Sequence, residues 1–404
     1  MGEEATEPHS RAPAPTSGRA VAVPSLPEER SPGGAVQPDE RYMERALELA
    51  RRPAFTSPNP RVGAVLVRDG HVIGEGAHMG AGTPHAEAAA LEGVDARGAT
   101  LYVTLEPCNH HGRTAPCAPL VVAAGVARVV VATEDPDPRA SGSGLRVLRA
   151  AGVDVTTGVS AAGAERLNRA YLHHRRTGRS FVSVKLALTL DGRMTAPDGS
   201  SQWITGPASR AAVHTRRLEC DAVLVGAGTV LADDPRLTVR DVPAVRQPLR
   251  VVVDAAGRVP ASAALIAEPE GAAMIATTAA CPHDAQIAWK EAGAEVLVLP
   301  EATTTRRLGE RSRSSGVDLA ALVEALGARG IVEVLCEGGP RLASSLLGEG
   351  LADRLELHYG PVLTGGGLSL DDLGITSIDE ALRYVMEDAT RAGDDLLVTL
   401  VRKR

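Results

Sequence analysis

The sequence predicts an α/β protein built as two successive α/β units. Short Val-rich runs alternate with segments of helical periodicity along most of the chain. That alternation pauses once, at an Arg- and His-rich stretch near 161–178, and then restarts. A length of 404 residues points the same way, being too long for one small domain.

The elements follow in order. Residues 1–38 hold seven prolines and no aromatic residue, too little to offset the entropy of ordering, and are expected to form a disordered leader. Met43, Ala46, Leu47 and Ala50 share one face of a helix over 42–50. Strands at 63–67 and 71–76 flank Asp69-Gly70, a hairpin signal. A helix at His85-Ala86-Glu87, opened by Pro84, leads to a strand at 101–105 and a second helix at Cys117. A strand at 128–133, a helix over 142–151 and a short strand at 153–155 close the first unit near 160. Residues 161–179 make a helical connector. The second unit, 180–404, places strands at 181–188, 222–226, 250–254, 272–277, 295–299, 332–336, 354–359 and 395–401. These runs are continuous and Val-rich, as in a sheet covered on both faces. Residues 303–316 look like an exposed insertion.

Composition excludes several classes. Aromatics are 2% against 44% hydrophobics, so the cores are packed by Ala, Val and Leu. A net charge of −7 argues against a general nucleic-acid binder but leaves room for a local basic pocket around a phosphorylated small molecule. Five cysteines, an odd number without a pairing pattern, argue against a disulfide framework and for the reducing cytoplasm. No run of 18 apolar residues exists to span a membrane, and Met-Gly-Glu-Glu lacks the basic and apolar regions of a secretory signal.

Pro84-His-Ala-Glu87 and Pro107-Cys-Asn-His-His-Gly-Arg-Thr-Ala-Pro-Cys117 carry the chemistry of the first unit. His85, Cys108 and Cys117 suit Zn²⁺ with a fourth tetrahedral position open to water. Glu87 lies two residues past His85, near enough to move that water's protons without ligating the metal. This is the pattern of zinc-dependent base deaminases, in which a metal-activated water attacks an amidine-like ring carbon. A structural role for two buried thiols is the plainer alternative, and a closed zinc module would need His110 or His111 as a fourth ligand. The His-x-Glu at a helix start and the strand leading into Pro-Cys favour catalysis. Eight residues separate Cys108 from Cys117, more than the two of the commonest deaminase spacing.

The second unit lacks a Gly-x-Gly-x-x-Gly after its first strand. It has two Gly turns instead, Val225-Gly-Ala-Gly-Thr-Val230 and Glu337-Gly-Gly-Pro-Arg-Leu342, the latter with Pro340 set to open a helix. Either could be a steric turn only; their company with Asp233-Asp234-Pro235 and Arg240 favours a ligand site.

Taken with Ser57-Pro-Asn-Pro-Arg-Val-Gly63, Lys185-Leu-Ala-Leu-Thr-Leu-Asp-Gly-Arg193, Ser201-Gln-Trp-Ile-Thr205 and Val230-Leu-Ala-Asp-Asp-Pro-Arg-Leu-Thr-Val-Arg240, these motifs make residues 39–404 resemble the bifunctional riboflavin-biosynthesis deaminase–reductases. The resemblance implies a cytidine-deaminase-like α/β/α domain over 39–160, then a dihydrofolate-reductase-like α/β domain over 180–404. It implies Zn²⁺ and NADPH as cofactors and a phosphorylated pyrimidine as substrate. The diaminopyrimidine ribotide would lose its C2 amino group, and NADPH would then reduce ribosyl to ribityl. It further implies Asn59, His78 and Arg113 as substrate contacts in the deaminase. In the reductase it implies Ala187, Trp203, Thr229, Asp233 and Gly339 as NADPH contacts, and Ser201, Arg217, Leu237, Arg240 and Glu337 as substrate contacts. Asp233 would also be a catalytic acid near the ribose, with helix capping as the plainer alternative. Arg217 and Arg240 suit a sugar phosphate through bidentate guanidinium bonds. Asp137 stands where many relatives are expected to carry Asn. A homo-oligomer is expected, without nucleic-acid or membrane partners. A nucleoside or tRNA deaminase with an appendage, or a chain with one inactive half, are the rival readings.

Overall fold

Residues 38–110, 115–244, 246–302 and 316–403 are described by the structure, a computed structural model of the chain. The expected leader and most of the expected insertion therefore lie outside the described residues.

In α1 (Pro38–Arg51), Met43, Ala46, Leu47 and Ala50 are fully buried, as their spacing predicts, though the helix starts four residues earlier than expected. β1 (Gly63–Arg68) and β2 (His71–Ala77) form the hairpin, with Asp69 and Gly70 both at positive φ (50° and 76°), as a two-residue turn between twisted strands requires. α2 (Ala86–Leu91), β3 (Thr100–Val103), α3 (Cys117–Ala123), β4 (Arg128–Val131), α4 (Ser143–Ala150) and β5 (Asp154–Thr157) follow. The strands form one sheet in the order β2-β1-β3-β4-β5, antiparallel at the hairpin end and parallel from β3 to β5. Alternate residues feed two cores. Ala64, Leu66, Leu101, Val103, Val129 and Val131 pack under α2, α3 and α4, while Val65, Tyr102 and Val130 pack under α1. α5 (Ala161–Leu167) and α6 (Arg169–Thr177) occupy the connector.

The second sheet is built from β6 (Phe181–Leu188), α7 (Pro207–Glu219), β7 (Ala222–Gly226), α8 (Ala227–Asp233), β8 (Leu249–Val253), α9 (Ala264–Ala267), β9 (Ala273–Thr278), α10 (His283–Glu291), β10 (Glu295–Leu299), α11 (Leu319–Ala328), β11 (Glu333–Cys336), α12 (Pro340–Gly348), β12 (Arg354–Tyr359), β13 (Tyr384–Ala392) and β14 (Asp395–Arg402). Its order is β10-β9-β8-β7-β11-β6-β12-β14-β13, with the first seven strands parallel and the last two antiparallel. β13 was not anticipated. It is an edge strand with no buried residue and no apolar alternation, so it lacks the signal that marks the central strands. The expectation of a sheet covered on both faces holds for β7, β8 and β11 and fails at this end.

The chain leaves β7 toward β8 on one side and leaves β11 over β6 toward β12 on the other. A crevice therefore opens at the carboxyl ends of β7 and β11, where α/β sheets bind ligands. Among the described residues no helix is long and apolar enough to cross a membrane.

Candidate active sites

The first centre is assembled from the starts of two helices and the end of a strand. His85 is the N-cap of α2, and Glu87 sits in the first turn with 3% of its surface exposed. Pro84 precedes the cap rather than opening the helix, whose first residue is Ala86, two positions later than expected. The height of α2 over the sheet is set by Gly76, where a Cβ would stand 2.1 Å from the Ala86 carbonyl. Cys108 follows β3 through Glu106-Pro107. The Glu106 carboxylate accepts the main-chain N–H groups of Gly142 and Gly144 at 3.0 Å each, pinning this turn to the start of α4. Cys117 is the first residue of α3 and is buried.

Nδ1 of His85 lies 3.5 Å from Sγ of Cys108 and 3.3 Å from Sγ of Cys117, and the three ligand atoms all fall within 4.8 Å of one another. A tetrahedral Zn²⁺ with Zn–S near 2.3 Å and Zn–N near 2.0 Å has ligand–ligand edges of about 3.5–3.8 Å, so the donor set fits. Among the described residues the cluster holds three ligands, and His110 does not join it. Three protein ligands with a fourth position left to water mark a catalytic site, whereas a fourth protein ligand closes a structural one. His111 and Arg113 lie outside the described residues.

The electrostatics are those of a donor set made for a cation. A hydrogen bond with Cys117 brings the Cys108 thiol down to about 4, and the same bond, with burial, pushes Cys117 up. Burial raises the Glu87 carboxyl to about 7, near neutrality.

Asn59 and His78, both expected at this site, meet beside the metal ligands. Nδ1 of His78 donates to the Pro84 carbonyl (3.1 Å), which leaves Nε2 to accept from Nδ2 of Asn59 (2.9 Å). The His78 ring packs edge-on against His85, 5.3 Å between centroids, and its burial favours the neutral form. His78 thus holds Asn59 and buttresses the ligand. Asp137 is held by Arg139 (2.7 Å) and approached by Arg175 (3.6 Å).

In the second unit, the two Gly turns come together at the crevice between β7 and β11. Gly339 caps α12, Pro340 opens it as expected, and the Gly339 N–H donates to the Thr229 hydroxyl of α8 at 3.1 Å. Ala187 and Ser201 are half-buried, while Trp203 is 66% exposed with the Arg210 guanidinium 4.3 Å over its ring. Asp233 is the exposed last residue of α8, so it caps no helix N-terminus.

The expected substrate contacts Arg217, Leu237 and Arg240 differ in what they can offer a ligand. Arg217 does not present a free fork. Nε and Nη2 bind the two oxygens of Glu337 at 2.6 and 2.9 Å, and Nη1 donates to the Thr238 carbonyl at 2.9 Å. Arg217 and Glu337 are thus one preformed pair. Leu237 has its side chain in the core, 3% exposed, at φ 56°, so only its main chain is available to a ligand. Arg240 is exposed, with its N–H directed to Nδ1 of the buried His214 at 3.3 Å.

Residues 36–133 match the family model described as the cytidine and deoxycytidylate deaminase zinc-binding region, and residues 180–398 match the RibD C-terminal domain. The riboflavin biosynthesis protein RibD of Aquifex aeolicus is 42% identical over 367 residues, which cover 90% of this chain and 98% of its own. That of Escherichia coli is 40% identical over 380 residues, covering 90% and 99%. The chain belongs to the RibD family. A structure of Acinetobacter baumannii RibD superposes with a TM-score of 0.79 at 36% identity, covering 92% of this chain and all of the other. One from Thermotoga maritima, described as a diaminohydroxyphosphoribosylaminopyrimidine deaminase/5-amino-6-(5-phosphoribosylamino)uracil reductase, gives 0.76 at 34%, covering 91% and 99%. As a RibD-family enzyme the chain is bifunctional in riboflavin biosynthesis, with a zinc-dependent deaminase domain followed by an NADPH-dependent, dihydrofolate-reductase-like domain.

Lys185 is a residue of the second unit that no expected role covers. It is the one charge within the apolar strand β6, its burial lowers the ammonium pKa, and Glu337 and Glu356 offset that effect. A lone Lys in Phe181-Val-Ser-Val-Lys-Leu-Ala-Leu188 was the available signal. His214 gave no signal, since a single His on a helix is common.

Proposed function

We propose that the first site deaminates 2,5-diamino-6-ribosylamino-4(3H)-pyrimidinone 5′-phosphate at C2, releasing ammonia, and that the second reduces the ribosyl group of the resulting uracil to ribityl. The observation that carries the first step is the His85–Cys108–Cys117 donor set with a buried carboxyl at Glu87 that is outside it. Bound Zn²⁺ activates the attacking water, and bound NADPH supplies the hydride. Glu87 takes a proton from that water and delivers it to the departing nitrogen. Asn59 and His78 orient the pyrimidine, and Arg113 binds the phosphate.

In the reductase, Ala187, Trp203, Thr229, Asp233 and Gly339 bind the nicotinamide cofactor, with Asp233 also serving as the acid near the ribose. Ser201, Arg240, the main chain at Leu237 and the Arg217–Glu337 pair bind the substrate. The chain works in the cytoplasm as a homo-oligomer without nucleic-acid or membrane partners, a reading supported by five free cysteines and a net charge of −7.

The purified chain should be given the diaminopyrimidine ribotide with and without NADPH, and products followed by mass spectrometry. Ammonia release without NADPH, and ribityl product only with it, is the expected result. NADPH consumption ahead of ammonia release would reverse the proposed order.

A further inference from the structure

We propose that Arg246, a residue of the reductase, is a positioning residue for deamination: it fixes the loop that carries Asn59 into the first site. The proposal rests on the reading of Asn59 as a substrate contact.

The loop between α1 and β1 is tied within itself by the Arg61 guanidinium, which donates to the Pro53 carbonyl and, at 2.9 Å, to the Ala54 carbonyl, and by one turn. The Asn59 N–H donates to the Thr56 carbonyl (3.0 Å), and the Thr56 hydroxyl donates back to the Asn59 carbonyl (3.1 Å). Its remaining anchors include several beyond the deaminase sheet. Asn168 clasps Arg61 through both amide atoms, each at 2.8 Å, and Arg175 of α6 donates to the Pro58 carbonyl at 3.4 Å. The far end of the loop reaches the reductase, where the Phe55 ring lies 3.9 Å beneath the Arg246 guanidinium.

Arg246 is fixed before it meets Phe55. Its N–H groups donate to the carbonyls of Cys220 (2.7 Å), Asp221 (3.2 Å) and Leu218 (3.3 Å) at the C-terminal end of α7. Those carbonyls lack helical partners, and the negative end of the helix dipole favours a cation there. With its edge committed to carbonyls, the guanidinium has its flat face to offer, and a desolvated guanidinium over an aromatic ring attracts more strongly than an exposed one.

The segment that carries Arg246 is braced as well. Gln247, the next residue, accepts the Val239 N–H at 2.6 Å and donates to the Val239 carbonyl at 3.1 Å, one residue from Arg240. One braced segment therefore touches the reductase pocket at Arg240 and the deaminase loop at Arg246. The deaminase pocket is in this sense completed by the reductase.

The test uses the full chain carrying Arg246→Met, Phe55→Leu or both. Loss of the stacking should raise the deaminase KM about tenfold in each single variant, the factor equivalent to ~1.4 kcal/mol. The double variant should be no worse than the worse single one, because both substitutions remove one contact. Deaminase kcat, zinc content, and reductase KM and kcat on the uracil ribotide should stay as in the parent. Phe55→Leu leaves every α7 contact of Arg246 in place, so it carries the test if Arg246→Met fails to fold. An unchanged deaminase KM in folded variants overturns the proposal, as does an additive double variant or an equal loss in the reductase. Asn59→Ala separates the two readings. A raised KM there beside an unchanged Arg246→Met sinks the positioning role alone, while unchanged values in both remove Asn59 from the site as well.

Discussion

Replacing Glu87 by Gln should stop deamination while leaving the metal in place. The side chain is 3% exposed, sits in the first turn of α2 and supplies no atom to the His85–Cys108–Cys117 cluster. Gln keeps its shape, so the donor set is untouched and zinc content should equal that of the parent. What disappears is a carboxyl that burial holds at about 7, able to accept and return a proton near neutrality. Loss of a general acid–base group costs about 10²–10⁴-fold, or ~3–5 kcal/mol of barrier. The upper end is expected here, because the same carboxyl serves both proton transfers and its burial leaves little room for solvent to substitute. Ammonia release under saturating substrate, zinc by elemental analysis, and reductase turnover on supplied uracil ribotide should be measured on one preparation. If metal falls together with activity, or if the rate drops by less than about tenfold, the role given to Glu87 is wrong.

Cys117→Ser should lose metal and deamination together, with zinc affinity falling by more than the ~10–100-fold that removing a ligand's supporting partner costs; loss of reductase activity in the same folded protein would contradict separate sites. Gly76→Ala should push α2 off β2, costing about 1–3 kcal/mol of stability and weakening zinc binding; an unchanged melting temperature and zinc titration would show that Gly76 does not set the height of His85. Arg240→Lys keeps the charge and loses the fork, so the KM for the uracil ribotide should rise while that for NADPH hardly moves; a silent substitution would mark Arg240 as an ordinary surface residue. Glu337→Gln should destabilise the second domain by ~3–5 kcal/mol, because it leaves Arg217 buried beside a neutral partner; chemical denaturation reads this, and a change below about 1 kcal/mol would mean that the pair is solvated.

The metal centre was legible because its chemistry is local. His85 and Glu87 share a helix start, and Cys108 follows closely on a strand whose hydrophobic run is plain in the sequence. The central strands were legible for the same reason, since Val182, Val184, Val223 and Val225 are buried runs that need no partner to be recognised. The reductase site was less so. Arg217 and Glu337 are 120 residues apart, and nothing in a single sequence says that two charges will pair rather than face a ligand. Leu237 is apolar and sits in a motif, but its φ of 56° and buried side chain are products of the tertiary fold. β13 was missed because an exposed edge strand buries nothing and so carries no apolar period.

The pairing of Arg217 with Glu337 changes how the second site can recognise a phosphate. An arginine clamps a phosphate by offering two parallel N–H bonds, and those of Arg217 already go to a carboxylate at 2.6 and 2.9 Å, with a third to a carbonyl. Releasing them would leave a carboxylate that is only 11% exposed without its counter-charge, a cost of several kcal/mol that a single phosphate contact does not return. Arg217 would therefore serve the site best by fixing Glu337, whose carboxylate also faces the half-buried Lys185. The fork proposed for the phosphate is then that of Arg240, which is exposed and has its main-chain N–H directed to His214. Under the proposed function, burial then divides the labour: the inner pair would orient the polar groups of the sugar, and the outer guanidinium would meet the phosphate.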